Sequence, residues 1–429
     1  LTDGKPIIGT ASAAPTIKAG ALESPKFLGT EAEYFKEARA IIENAKPGEI
    51  VGAQMYEFQN AATNPGNTGA PNAPGYADQQ ALLPALAAAD KRGVNVQIIL
   101  DASKDPKTHA LNNQPIIDYL KKNAGDSGHL TLDLYPPNTV NIDHAKELFH
   151  MTKGAGGAYE MQEALAGGSN WGNHTPANDD GGAAMFGRDA VGAGSAFFRD
   201  QAFCRGDQTT AAQPANDPNA PVQWYTTSPV QEGGGSTGIK DQKLALLKEF
   251  PTVYSNQFCF NNPDLLQATE ALGKGAHLRA DPHEYNVNKN AVNEIRQSGG
   301  TAMWANTILN PDTMPGQIQH EKRDVNVDKN GVAQATTMGS ANDTGNGLET
   351  THRSDVQDGT STEEKSTLKH TNHEIDIAVR RQSTNEKTAD GGTYSTAAFL
   401  DAALAKSKDD LATKSLQDPP QGTGGNQPF

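Results

Sequence analysis

The segment 141-NIDHAKELFHMTK-153 sets His144 and Lys146 two residues apart, and 317-QIQHEKRDVNVD-328 repeats the spacing at His320 and Lys322. Working outward from each, the surrounding chain repeats as well. The first half reads EIVGAQMYEFQN, ALLPALAAADKRGVNVQIILD, ALNNQPIIDYLKKN, DHAK, GGSNW and ANDDGGAAMFG. In the second half TVYSNQFCFNN, PDLLQATEALGKGAHLRADP, YNVNKNAVNEIRQSG, QHEK, MGSAN and NHEIDIAVR follow in the same order. An ordered series of this length is not chance, so the chain is read as a duplicated unit.

Each unit alternates strand, helix, strand, helix, strand, the pattern of an α/β domain with helices packed on a sheet. Leu82, Leu83, Leu86 and Ala89 recur at helical spacing, and Gly93 beyond Lys91 and Arg92 is a C-terminal stop. Val94, Val96 and Ile98 then alternate with Asn95 and Gln97, the period of a strand. The expected fold class is α/β, with two similar α/β/α sandwich domains related by a pseudo-two-fold axis. Residues 1–205 are expected to form the first domain and 222–407 the second, with 206–221 (GDQTTAAQPANDPNAP) as linker and 408–429 as a flexible tail.

Composition narrows the function. A chain of 429 residues suits two domains, and a hydrophobic content of 36% with mean hydropathy −0.62 points to long polar connections around compact cores. No apolar run approaches the roughly 20 residues that cross a bilayer. A formal net charge of −15 disfavours nucleic acid as a partner, because affinity for a phosphate backbone comes chiefly from Lys and Arg. Cys204 and Cys259 lack metal-ligand spacing and either form one bridge or stay as buried thiols. A start at Leu1 fits a removed signal peptide or a trimmed chain, and favours a secreted or periplasmic setting over a cytoplasmic one.

The repeated pair carries the chemistry. On a strand, period-two geometry points His144 and Lys146 to one face. An ammonium neutralises a non-bridging phosphate oxygen, and an imidazole attacks phosphorus or moves a proton near neutral pH. A phosphodiester needs a nucleophile on one side of phosphorus and a proton donor on the other, so two facing copies make one complete site. Ser169 and Asn170 in GGSN, with Ser340 and Asn342 in GSAN, are expected to donate hydrogen bonds to phosphate oxygens. Asp180, or Asp179 if the register slips by one, and Glu374 occupy matching places where a carboxylate would accept the Nδ1 proton and orient each imidazole.

These motifs resemble the phospholipase D superfamily, whose signature is H-x-K-x4-D followed by G-[GS]-x-N, twice in its two-domain members. The resemblance spans about Glu49 to Arg380. It implies the phospholipase D fold and a phosphohistidine mechanism without cofactor or metal, in which His144 is the nucleophile and His320 the general acid, assisted by Lys146 and Lys322. It also implies a glycerophospholipid substrate such as phosphatidylcholine at a membrane or micelle surface, a water or alcohol acceptor, and a monomer, the chain being its own pseudo-dimer. A nuclease of the same superfamily and a catalytically degraded phospholipid- or phosphate-binding protein are the alternatives. The latter is motivated by Met151 and Val327, which stand where the signature has Asp, with Asp328 one place late.

Other features read as structural. GGGSTGIK (233–240) lacks the Lys and Ser or Thr of a phosphate-binding Gly loop and reads as a connector before a helix. His370 and His373 lie in a segment that reads as strand rather than metal-binding helix. His150 is expected near the site rim or in solvent, Trp171 either at the entrance or as a buried anchor, and Asn288 and Asn290 as turn and capping residues.

Overall fold

The computed structural model describes residues 5–10, 13–66, 69–105, 107–125, 128–136, 142–206, 213–228, 236–306, 318–349, 352–353, 368–369 and 372–418. The first half comprises β1 (Ile17–Ala19), β2 (Lys26–Leu28), α1 (Glu31–Asn44), β3 (Ile50–Met55), α2 (Tyr76–Lys91), β4 (Asn95–Asp101), α3 (Gln114–Asn123), β5 (Leu130–Tyr135), β6 (Lys146–Lys153), β7 (Tyr159–Gly167), β8 (Gly182–Phe186) and α4 (Val191–Cys204). The second half begins with β9 (Val222–Ser228), β10 (Ser236–Thr237), α5 (Gly238–Glu249), β11 (Thr252–Gln257), α6 (Pro263–Glu270), β12 (Ala276–Ala280), α7 (Tyr285–Gln297), β13 (Thr301–Ala305), β14 (Lys322–Val327) and β15 (Ala333–Gly339). It ends with α8 (Gly345–Leu348), β16 (His352–Arg353), β17 (Leu368–Lys369), β18 (Glu374–Arg380), β19 (Ser383–Lys387), β20 (Thr393–Ser395), α9 (Ala397–Thr413) and β21 (Ser415–Leu416).

The duplication is visible in the sheets. One runs β2-β8-β7-β6-β3-β4-β5 and the other β9-β18-β15-β14-β11-β12-β13, flanked by β10 and β21. In each, three strands joined by helical crossovers are parallel and the next three antiparallel. Register is conserved at the corner that matters: Lys146 lies opposite Met55, and Lys322 opposite Gln257.

Strand alternation sends side chains to two different layers. Val51, Ala53 and Met55 of β3, with Val96, Ile98 and Leu100 of β4, pack outward against Phe35 and Ile42 of α1, Leu82, Leu83 and Leu86 of α2, and Ile116, Ile117 and Leu120 of α3. Ile50 and Ile99 face the opposite way, into a core shared with Phe149, Met151, Phe197 of α4, Val325, Val327, Ile377 and Phe399 of α9. A third cluster places Ile239, Leu265, Val292 and Ile295 of α5–α7 outside the second sheet. The two α/β/α sandwiches therefore share their inner helical layer, α4 and α9. Each fully buried side chain of this kind contributes about 1.5–3 kcal/mol.

Details refine the reading of the sequence. Gly93 closes α2 at φ 89°, in the left-handed region that a side chain would strain. Cys204 and Cys259 are both free thiols. Of the segment read as a tail, 408–413 complete α9 and Ser415–Leu416 pair with β13, while 419–429 lie outside the described residues. In the linker, 207–212 lie outside the described residues, and Gln213 and Asn216 hydrogen-bond the main chain at Thr226 and Trp224 of β9. Asn288 is a buried strut within α7 rather than a cap. No helix among the described residues is long and apolar enough to cross a membrane.

Candidate active site

The centre forms where the halves are stitched by exchanged backbone bridges. The segment before β6 runs parallel to the one before β18, where His144 N donates to His373 O at 2.8 Å. By the same logic the segment before β14 runs along the one before β8, with His320 N donating to Asp179 O at 3.1 Å. The equivalent carboxylates follow directly, one residue later. His144 Nδ1 lies 2.8 Å from Glu374 Oε2, and His320 Nδ1 lies 2.9 Å from Asp180 Oδ2. Each histidine is thus oriented by the carboxylate of the other half, so neither half holds a complete centre alone. Asp180, not Asp179, is the partner; Asp179 pairs with Arg279 and Lys406.

Both lysines begin a strand, β6 or β14, and are buried with the histidines: Lys146 is 0% and Lys322 1% exposed, and each histidine is 6% exposed. Lys146 Nζ donates to His144 O at 2.7 Å and Lys322 Nζ to His320 O at 2.6 Å. Lys322 Nζ also lies 3.0 Å from His320 Nε2, whereas Nδ1 faces Asp180. With Nδ1 donating its proton to Asp180, Nε2 accepts from the ammonium.

The electrostatics of the four groups agree. Burial, then the charges of Lys146 and Lys322, holds His144 well below the usual imidazole range. Burial and Lys322 push His320 down to about 3, against the opposing pull of Asp180. Desolvation lowers Lys146 to about 7 and lowers Lys322 in the same direction, while it raises Glu374 to about 7. The two lysines hold both imidazoles down and Lys322 holds Lys146 down, so the centre gathers two buried ammonium groups beside two neutral imidazoles, an arrangement that an anion complements.

The serines and asparagines divide. Ser340 Oγ donates to Glu374 Oε2 at 2.6 Å and accepts from Ile375 N at 2.9 Å, so it orients the carboxylate behind His144. This departs from the expected donation to phosphate. Ser169 is fully buried, and its hydroxyl lies 3.5 Å from Gly181 O. Asn170 and Asn342 each keep a buried side-chain oxygen with no hydrogen-bond partner among the described residues; that oxygen only accepts, so a phosphate oxygen would be met by the Nδ2 of the same amide.

Several contributors escaped the sequence reading, which named only Asn288 among them and only as a turn or capping residue. Tyr56 and Phe258 occupy equivalent positions, their ring centroids 5.2 and 5.0 Å from His144 and His320, with Lys146 Nζ 5.5 Å and Lys322 Nζ 5.2 Å away. Asp101 Oδ1 accepts from Asp143 N at 2.7 Å, and Asp281 Oδ2 from Gln319 N at 2.6 Å, fixing the approach to each histidine. Asn113 and Asn288 tie Phe58 N and Phe260 N to those same turns. The signal for all three pairs was their recurrence at matching places in the repeat.

Other features read as structural put no side chain on the two histidines, although the main chain of His373 accepts from His144 N. His150 bonds Glu49 at 2.8 Å, four residues along β6 from Lys146, or roughly 13 Å; it is neither at the rim nor free in solvent. Trp171 is a buried anchor packed edge-on against Phe58 at 5.0 Å. His373 Nε2 bonds Asp200 at 2.7 Å, and no metal-binding cluster occurs among the described residues, from which His370 falls outside. Gly238–Glu249 is helical, while 233–235 of the Gly-rich run lie outside the described residues. Met151 and Val327, in place of the signature's Asp, pack in the shared core, and Asp328 belongs to a turn.

Compared with solved structures, the chain is similar to a phosphatidylserine synthase from Haemophilus influenzae, at 12% identity and TM-score 0.58, over 93% of this chain and 88% of that one. The fold is that of phospholipase D. The chain is also similar to a polyphosphate kinase from Porphyromonas gingivalis (10% identity, TM-score 0.49, 83% of this chain), about half of whose length, 47%, the chain spans. A variant of the yeast tyrosyl-DNA phosphodiesterase matches at 9% identity and TM-score 0.45, over 84% of this chain and 89% of that one. No protein-family model matches the chain, and no curated protein matches it.

Proposed function

We propose that the chain is a phospholipase D-type phosphodiesterase that hydrolyses glycerophospholipids such as phosphatidylcholine, or transfers their phosphatidyl group to an alcohol. The observation that carries this reading is the pair of crossed imidazole–carboxylate contacts around two buried lysines. His144 Nε2 attacks phosphorus while His320, which receives a proton at Nε2 from the Lys322 ammonium as the anion binds, passes that proton to the leaving alcohol; the P–O bond breaks as the N–P bond forms. His320 then takes a proton from water or an acceptor alcohol, whose oxygen displaces His144. Lys146, Lys322, Asn170 and Asn342 hold the non-bridging oxygens.

Two asymmetries support this order of roles. Glu374, behind His144, is fully buried and held by Ser340 and Asn372, which suits a nucleophile kept in one orientation. Lys322 Nζ contacts His320 Nε2 directly, a route by which protonation of that nitrogen answers to the bound anion. The apolar packing of Met151 and Val327 leaves the four reacting side chains in place, which favours an enzyme over a degraded binding protein. The proposal includes a monomer acting from a secreted or periplasmic location at a lipid surface, with no cofactor.

The test incubates the protein and its His144→Ala variant with phosphatidylcholine vesicles, chelator and a little ethanol. Free choline and phosphatidylethanol from the wild type alone are the expected result. Turnover of nucleic acid instead of lipid would transfer the reading to a nuclease.

A further inference from the structure

One residue makes the crossing beneath each histidine. The main chain of His373 forms two bonds with the His144 segment: its N–H donates to Ile142 O at 3.0 Å, and its carbonyl accepts from His144 N at 2.8 Å. Asp179 does the same on the other side, donating to Ile318 O at 2.8 Å and accepting from His320 N at 3.1 Å. Each stands just before the carboxylate that faces the same imidazole, Glu374 or Asp180. Successive residues of an extended segment point to opposite faces, so a carboxylate turned toward the histidine sends the preceding side chain the other way.

That side chain reaches the inner helical layer on both sides, with the charges reversed. His373 is fully buried, its ring stacked on Tyr135 at 5.1 Å, and its Nε2 lies 2.7 Å from Asp200 Oδ2 of α4. Arg199 holds the other oxygen of Asp200 at 2.6 Å. Across the molecule Asp179 Oδ1 accepts from Lys406 of α9 at 3.2 Å, and Oδ2 from Arg279 at 2.8 Å. Burial alone would raise both carboxyls, yet Arg199 and His373 hold Asp200 at about 2, and Arg279, Lys406 and Lys414 hold Asp179 below the ordinary range. What the two places share is therefore not a residue type. It is a main-chain bridge to a histidine joined to a side-chain anchor in α4 or α9.

We infer that His373 and Asp179 are positioning residues, each setting the place and direction of one imidazole by pinning the crossing beneath it to an inner helix. The imidazole is located by two fixed points, its own main-chain N–H on the bridge and its Nδ1 on the neighbouring carboxylate. Both points come from one dipeptide, His373-Glu374 or Asp179-Asp180. A misplacement of about 1 Å at a reacting atom costs roughly 10²-fold in rate. The consequence for turnover rests on the phosphodiesterase reading; the placement of the rings does not.

The test uses His373→Phe, which keeps a ring for Tyr135, and Asp179→Asn, which keeps an acceptor oxygen, with melting temperatures showing that both fold. Each is expected to lower kcat on phosphatidylcholine about tenfold or more. Each should also share the leaving-group dependence of its own histidine's alanine variant, measured on phosphatidylcholine and a p-nitrophenyl diester: His373→Phe that of His144→Ala, and Asp179→Asn that of His320→Ala. In NMR titrations His373→Phe should move the ring resonances of His144 and leave His320 nearly still, and Asp179→Asn the converse. A clamp that only stabilises the chain lowers the melting temperature without singling out a histidine. Resonances that move for both histidines or for neither, or a leaving-group dependence that follows the wrong one, overturn the inference. If the wild type turns over neither ester, the phosphodiesterase reading fails and the resonances alone decide: a selective shift upholds the positioning roles, and any other pattern ends them.

Discussion

Strand for strand the halves agree, yet they bury opposite kinds of seam on the outer face of the sheet. In the first half, cross-strand neighbours Ala53, Leu148 and Leu165 are apolar, and the ring of Tyr34 lies across Gly182. The second half puts Ser255, Asp324 and Thr337 at the same register, with Asp376 nearby, and Lys243 Nζ bonds Asp343 at 2.6 Å and Asp324 at 3.1 Å. One fold thus accepts an apolar or an ionic seam, provided the latter satisfies its own charges. The active centre is the reverse case. There the halves keep identical histidines and lysines and differ only in what surrounds them.

The sharpest break of that equivalence is at the histidines. His144→Ala and His320→Ala are each expected to cut phosphatidylcholine turnover by about 10³-fold or more. They part company on a diester with a p-nitrophenol leaving group, which needs no proton. His320→Ala should regain activity there and His144→Ala should not; the opposite ranking would exchange the two roles.

Next in size are the crossed carboxylates. Glu374→Gln and Asp180→Asn should each lower kcat by roughly 10²-fold, since a mis-set tautomer costs more than a lost hydrogen bond. The crossing is read by NMR titration of the histidine ring protons. Glu374→Gln should move the resonances of His144 and leave His320 nearly still, and Asp180→Asn the converse. Perturbation within the same half instead would contradict the exchanged arrangement.

In the seam, Lys243→Met removes the cation from among Asp324, Asp343 and Asp376 and is expected to destabilise the chain by about 3–5 kcal/mol, read by denaturant unfolding. Tyr34→Leu in the first half leaves no orphaned charge and should cost less, about 1–3 kcal/mol. Equal costs would mean that the ionic seam relaxes as easily as the apolar one.

Much of this was legible in the residues. Spacing and repetition marked His144, Lys146, His320 and Lys322, and apolar alternation marked the strands of the first half. KRDVNV resisted because its pattern is that of a solvated face, although all six residues are buried; Arg323 is matched by Glu321 at 2.6 Å and Asp324 by Lys243, partners remote or invisible in periodicity. The crossing of Glu374 to His144 and of Asp180 to His320 was equally hidden. It depends on backbone bridges between segments some 140–230 positions apart, as the separations of the two contacts show. Ser340 was assigned to phosphate because a hydroxyl in a Gly turn has no intrinsic direction; only the adjacent carboxylate supplies one.

The smallest expected effect is in the pH dependence of stability, where the two imidazole–carboxylate pairs separate again. His320 falls from about 6.5 in the unfolded chain to about 3 in the folded one. The unfolded state therefore binds the extra proton between those limits, and stability from this group is full above pH 6.5 and lost as pH falls toward 3. By pH 5 the loss is about 2 kcal/mol. Glu374, raised to about 7, acts in the other direction: the folded state holds the proton, so its contribution is full below the ordinary carboxyl range and is lost as pH rises through 7. Because these slopes oppose, the wild-type profile alone conceals both. Unfolding of wild type and two variants at pH 5 and 7 exposes them: the stability of wild type relative to His320→Asn should fall on acidification, and relative to Glu374→Gln it should rise. Parallel profiles for all three would mean that neither group's proton is held by the fold, and the contrast between the pairs would then rest on hydrogen bonding alone.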